Sequence, residues 1–216
     1  MLSILVSSFV VPVWAALLDF RGTPARTIDV SGLSIPVFAE AFPKPAGGAS
    51  QERGLVLSGA GIRKKAILFL DINAYAAAAY FEPGTHFAVD RDPMEAVTKS
   101  SMKAIQLTFV RGVSKGQVLD SFTKSLKANG ADMESSLVKN AVRDLSYDMP
   151  LGSQMTLLAS RQENGSETLW FETPQGITHS DGPGVSDTFF KIWFGAASDG
   201  GMGELKKMLT ALPNLP

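Results

Sequence analysis

Apolar and polar residues alternate along several stretches of this chain. Residues 66–81 lack Pro and Gly, and the even positions from Ala66 to Ala78 are apolar while the odd positions are mixed, which predicts a strand with one dry face and one wetter face. Residues 105–110 alternate in the same way, and two short strands are predicted on either side of Ser31-Gly32. Asn164-Gly165 separates two apolar runs, a pattern typical of a β-hairpin.

Helical patterns fill most of the second half of the chain. Asp92 followed by Pro93 predicts a helix start, and Ser114 with Gln117 forms a capping-box pattern before an amphipathic stretch. Further helices are predicted from the spacing of apolar residues within 133–145, 185–195 and 204–212. This order of elements predicts an α+β fold, with a mainly antiparallel sheet and helices on one side.

Composition excludes several classes of function. The 216 residues carry a formal net charge of −1 with no basic stripe, so no nucleic-acid partner is expected. There is no cysteine, and the two histidines, His86 and His179, are far apart in sequence, so neither a metal site nor a cofactor is expected. His179-Ser180-Asp181 contains the residue types of a catalytic triad, but adjacent residues rarely form one. The sequence leaves the oligomeric state open.

The first 16 residues form an apolar segment that ends in Ala15-Ala16. It resembles a secretory signal peptide without the usual positive n-region, and a buried N-terminal strand or helix is the alternative. The expectation is therefore an exported, periplasmic protein with a single domain at residues 20–216. Residues 43–50, rich in Pro and Gly, are expected to form a mobile connection or hairpin tip.

Small residues precede a lone arginine in Gly59-Ala60-Gly61-Ile62-Arg63. This motif, the strand end Tyr80-Phe81-Glu82, the strand-helix unit at 105–126 and the tail helix at 189–195 follow one another in a specific order. Together they resemble the chalcone isomerase-like family over most of residues 25–212, and especially its exported bacterial members. The resemblance implies an open-faced sandwich in which a small-residue turn presents the arginine to a ligand cleft.

The resemblance also implies which residues bind a ligand. The arginine that holds the substrate phenolate in true isomerases falls on Arg63, and a substrate-orienting threonine falls on Tyr75. The family's catalytic tyrosine falls near Gln117, its asparagine near Lys124 and its late threonine at Thr178. An amide is a poorer donor than a phenol toward a developing enolate, so turnover of chalcones is not expected here.

Arg63 and Tyr75 suit another task, which is to hold a carboxylate while an apolar cleft holds a tail, as in the fatty-acid-binding members of the family. The leading hypothesis is therefore a non-catalytic binding protein for a small amphipathic carboxylate such as a fatty acid. The alternatives are an isomerase or intramolecular lyase acting on an enone, and a structural or partner-binding protein without a small ligand.

Arg63 and Tyr75 also admit plainer interpretations, as a solvated strand end beside Lys64 and Lys65 and as an ordinary core tyrosine. Twelve residues of straight strand would separate the two side chains by about 40 Å. A shared ligand therefore requires the chain to reverse or bulge between them.

Overall fold

The computed structural model describes residues 17–20, 26–41, 53–67, 70–88 and 90–211. The expected signal peptide at residues 1–16 and the expected mobile connection at 43–50 lie outside the described residues. Both therefore stay predictions.

Eight of the described strands form one curled antiparallel sheet in the order β1-β4-β5-β6-β7-β8-β9-β10, and β2 pairs only with β3. The strands are β1 (Leu18–Asp19), β2 (Thr27–Val30), β3 (Leu33–Pro36), β4 (Phe38–Ala41), β5 (Arg53–Ile67), β6 (Leu70–Phe81), β7 (Met102–Phe109), β8 (Gln154–Arg161), β9 (Glu167–Thr173) and β10 (Gly176–Asp181).

Five helices in the described ranges contribute to the larger of two cores, on one face of the sheet. They are α1 (Pro93–Lys99), α2 (Lys115–Ala128), α3 (Ser136–Leu145), α4 (Val185–Phe194) and α5 (Gly200–Leu209). The other face packs in a smaller core against residues of β1, β3 and β4, including Leu18, Ile35 and Ala39. The α+β class, with an antiparallel sheet and helices on one side, is confirmed.

Local capping and turn chemistry accounts for several elements. The Asp92 side chain accepts from the backbone N–H of Met94 at the start of α1, and both reciprocal bonds of the Ser114 and Gln117 capping box are formed. Asn164-Gly165 lies in the turn between β8 and β9, as predicted. These elements depend on neighbours in sequence, which explains why the pattern found them.

Three local predictions were wrong. Residues 66–81 are not one strand, because β5 and β6 meet as a hairpin in which Ile67 pairs with Leu70. Gly59-Ala60-Gly61 is not a turn either, since it lies inside β5 and pairs with residues 77–79 of β6. From Ala76 to Phe81, moreover, both faces of β6 are buried rather than only one.

Candidate ligand site

The β5–β6 hairpin places Arg63 directly beside Tyr75. The two residues are cross-strand partners, and an irregularity in the register follows, because Lys64 pairs with Asn73 and leaves Ala74 as an extra residue. Directly opposed residues in antiparallel strands have Cβ atoms about 5 Å apart. The reversal that a shared ligand requires is therefore present, and a bulge accompanies it.

The glycines before Arg63 allow helix α5 to lie against β5. A methyl group on Gly59 would overlap the backbone of Met208 and Leu209, and one on Gly61 would lie 2.7 Å from the Met208 side chain. Ser58 strengthens this contact, since its hydroxyl donates to the Leu209 carbonyl at 3.0 Å. The motif is thus a close-packing surface for a helix about 150 residues further along the chain.

A cleft opens on the helix face of the sheet, between β6, β7, α2 and α4, and has a volume of about 80 Å³. Most of its wall is apolar, and three cations also line it, whereas no acidic side chain is among the described residues of the wall. Its wall includes Arg63, Lys65, Tyr75, Phe109, Arg111, Gln117, Phe122, Trp193 and Met202. Such a surface suits an amphipathic anion.

Arg63 is almost fully buried, with 4% of its surface exposed. Its Nη2 lies 2.5 Å from Oδ2 of Asp199, and its Nη1 donates to the carbonyl oxygen of Lys64. A guanidinium has five N–H donors, and these two contacts account for two of them. The interpretation of Arg63 as a solvated strand end is wrong.

Tyr75 lies between Arg63 and the aromatic wall of the cleft. Its hydroxyl accepts from Nε1 of Trp193 at 3.3 Å and donates to the sulfur of Met202 at 3.9 Å, and its ring centroid is 5.7 Å from that of Phe109. Burial raises the pKa of the Tyr75 phenol above its ordinary value, although the Arg63 charge and the Trp193 hydrogen bond oppose this shift. The phenol therefore remains neutral near pH 7 and serves as a hydrogen-bonding group.

The other three residues implied by the family resemblance have different positions. Gln117 lines the cleft, but its Oε1 accepts from the backbone N–H of Ser114 at 3.0 Å in the capping box. Lys124 does not line the cleft; it is exposed on α2, where it forms an ion pair with Asp120 at 2.8 Å. Thr178 is exposed on β10 and does not line the cleft. The structure does not bring Lys124 and Thr178 to Arg63.

Several residues of the site were missed by sequence reasoning. Asp199 precedes Gly200-Gly201 and caps α5. An Asp before a helix is a local pattern that predicts a cap, but it does not predict a contact with Arg63. Trp193 belongs to the apolar spacing that predicts the helix within 185–195, and no pattern marks Arg111 or Met202. Their proximity to Arg63 depends on pairings and packing between remote segments.

A family model described as chalcone isomerase-like matches residues 44–209. The chain belongs to the chalcone isomerase-like family. Among solved structures, it is similar to a fatty-acid binding protein of Arabidopsis thaliana, with a TM-score of 0.58 and 15% identity, over 83% of this chain and 92% of that one. At this identity the likeness shows the shared fold. No curated protein sequence matches the chain.

The described residues show neither a cluster that could hold a metal ion nor a helix that could span a membrane. No described group of three or more His, Asp or Glu side chains is arranged to hold a metal ion. None of the described helices has the length and apolar character needed to cross a membrane.

Proposed function

We propose that this member of the chalcone isomerase-like family binds a small amphipathic carboxylate, such as a fatty acid, without converting it. The observation that carries the proposal is the pairing of Arg63 with Tyr75 in a cleft whose remaining wall is mostly apolar. A guanidinium offers a planar pair of donors to a carboxylate, and the neutral Tyr75 phenol adds a further donor if its O–H turns from the Met202 sulfur to the ligand. The fatty-acid binding protein of the same fold adds support by analogy.

The size of the cleft favours a short tail. Sites for drug-sized ligands enclose about 300–1,000 Å³, and this cleft, as it stands, encloses about 80 Å³. Its walls include Phe122 and Met202, whose side chains would have to move for a long acyl chain to enter. Octanoate is therefore the first probe, with palmitate as the longer comparison.

Binding is favoured over turnover by the chemistry of the cleft. Proton transfer near neutral pH needs a group whose pKa lies near the working pH. The described cleft wall has no His, Asp or Glu side chain, and burial raises the pKa of the Tyr75 phenol further from neutrality. An isomerase or intramolecular lyase acting on an enone stays the second candidate, because Arg63 can also hold an anionic oxygen.

The proposal is tested with Arg63→Gln, which removes the charge and keeps a polar side chain. Isothermal titration should show octanoate binding to the wild type and a loss of about 30-fold or more in the variant, equivalent to about 2 kcal/mol. Arg91→Gln is the matched control, because Arg91 is an exposed arginine that pairs with Glu95 on α1. Its affinity should equal that of the wild type.

Two results would contradict this function. One is a wild-type protein that binds neither octanoate nor palmitate, and the other is undiminished binding by Arg63→Gln. Conversion of chalcone-type enones that disappears in Arg63→Gln, measured by the loss of enone absorbance, would establish the second candidate instead. Native mass spectrometry of the purified protein adds an independent measurement, since a co-purifying acid should be lost with Arg63→Gln.

We also propose that the protein is exported, on the basis of the apolar residues 1–16. Expression in a Gram-negative host with and without these residues, followed by fractionation, should place only the full chain in the periplasm. Retention of both forms in the cytoplasm would contradict export.

A further inference from the structure

Asp199 already occupies an anion position on Arg63. Its Oδ2 contacts Nη2 of the arginine at 2.5 Å, while its Oδ1 accepts from the backbone N–H of Met202 at 3.0 Å and caps helix α5. The side chain of Asp199 is 48% exposed, whereas that of Arg63 is 5% exposed. One carboxylate on the surface thus neutralises a buried cation that also lines the cleft.

The first turn of α5 is built to make this contact. A methyl group on Gly201 would overlap both the carbonyl oxygen of Lys64 and Nη1 of Arg63. Only glycine lets the helix come this close, and the approach holds Asp199 over the guanidinium. The contact is therefore a feature of the packing rather than a chance meeting of two surface side chains.

The two partners of the ion pair line different spaces. Arg63 lines the cleft, while Asp199 lines a second, wider groove beside α5, β5 and the end of β2, together with Lys64 and Glu204. A carboxylate that left Arg63 would already face solvent in this groove and would lie near an exposed lysine. Its release would therefore leave no carboxylate buried without a partner, which is the costly outcome when a buried ion pair is broken.

We infer that Asp199 is the resident anion of the ligand site and sets its selectivity. This inference rests on the proposed carboxylate binding at Arg63. An incoming carboxylate has to compete with Asp199 for the guanidinium, whereas a neutral head group does not disturb the pair. Asp199 therefore weakens the binding of anions in general, and only ligands whose tails fill the apolar cleft bind in spite of it.

The decisive variant is Asp199→Asn, because asparagine caps a helix about as well as aspartate but lacks the charge. By isothermal titration, it should bind octanoate about tenfold more tightly than the wild type. Its affinity for 1-octanol, the neutral analogue, should stay unchanged. Glu204→Gln is the matched control, since Glu204 lies on the same helix and groove but pairs with Lys207. It should bind octanoate as the wild type does.

Other outcomes separate this inference from the proposed function. If the wild type binds octanoate through Arg63 but Asp199→Asn binds it equally or more weakly, Asp199 only positions the arginine, and the inference fails alone. An equal gain in Glu204→Gln would also overturn it, because the effect would then be one of general charge.

A second measurement covers the case in which octanoate binds to neither protein. Acetate needs no tail site, so at matched ionic strength it should raise the melting temperature of Asp199→Asn above its value in chloride, without doing so for the wild type. That result would support the resident-anion role while the fatty-acid proposal fails, and no acetate effect would overturn both. If Asp199→Asn does not fold, Asp199→Ser replaces it, because serine keeps a capping hydroxyl. The same changes in octanoate affinity and in melting temperature are expected of this variant.

Discussion

Two buried cations on the helix face of the sheet have different surroundings. Arg63 on β5 and Lys103 on β7 are 4% and 1% exposed. Lys103 donates to the carbonyl of Val97 at 2.7 Å, contacts Asp187 at 3.3 Å and lies 5.6 Å from the centroid of the Phe190 ring. Arg63 instead lines a cleft and depends on one half-exposed carboxylate.

The network around Lys103 joins separate elements of the fold. Glu167 on β9 contacts Arg161 at 2.5 Å and accepts from the backbone N–H and the hydroxyl of Ser186 on α4. Arg161 also lies 3.5 Å from Asp187, which accepts from Thr98 at 3.0 Å. The several partners of Lys103 join elements of the fold, whereas a charge with one charged partner beside a cleft suits binding.

The largest expected effect is on the enclosed network. Glu167→Ala should lower the free energy of unfolding by about 3 kcal/mol, because it leaves Arg161 and the Ser186 donors without their shared acceptor. Urea denaturation measures this loss, and the folded fraction should keep wild-type affinity for octanoate. Glu163→Ala, an exposed change in the adjacent turn, is the control and should be nearly neutral. A loss below about 1 kcal/mol for Glu167→Ala would contradict a structural role for this network.

A smaller effect is expected in the cleft from Tyr75→Phe. The variant keeps the ring against Phe109 but removes the acceptor of Trp193 and a donor to the ligand. Octanoate affinity should fall about fivefold and stability by about 1 kcal/mol, as measured by isothermal titration and urea denaturation. Tyr147→Phe, a partly buried tyrosine outside the cleft, should leave the affinity unchanged. Equal affinity in both variants would remove Tyr75 from the proposed ligand set.

The smallest expected effect is a pH dependence of stability that belongs to Lys103. Burial lowers the pKa of Lys103 below its usual 10.5, although the Asp187 charge opposes this shift. Between the lowered pKa and 10.5, the unfolded chain binds more protons at this residue, so stability rises with pH. The free energy of unfolding of the wild type, relative to that of Lys103→Met, should therefore increase as pH rises through this range. A constant difference between the two proteins would show that burial does not shift the pKa of Lys103.

Local sequence patterns predicted much of the fold. The capping residues Asp92 and Ser114 and the Asn164-Gly165 turn depend on backbone groups only a few residues away, so the pattern alone was enough. The β5–β6 hairpin was missed because the sequence around the Ile67–Leu70 pair contains no Gly, Pro or Asn before Asn73. The prediction of one long strand failed for this reason. Only the family resemblance, which implies a ligand shared by Arg63 and Tyr75, required the chain to reverse between these two residues.

The sequence by itself determined the fold class, because periodicity and capping are local patterns. It also determined the family and singled out Arg63 beside apolar stretches, because these depend on a recognisable order of motifs. Only the tertiary structure decided what surrounds the arginine. Asp199 lies 136 residues beyond Arg63 and reaches it through helix packing over Gly59, Gly61 and Gly201. Lys103 likewise meets Asp187, 84 residues away, through the packing of α4. Contacts between remote segments leave no local pattern, since each depends on how the whole sheet and its helices pack together.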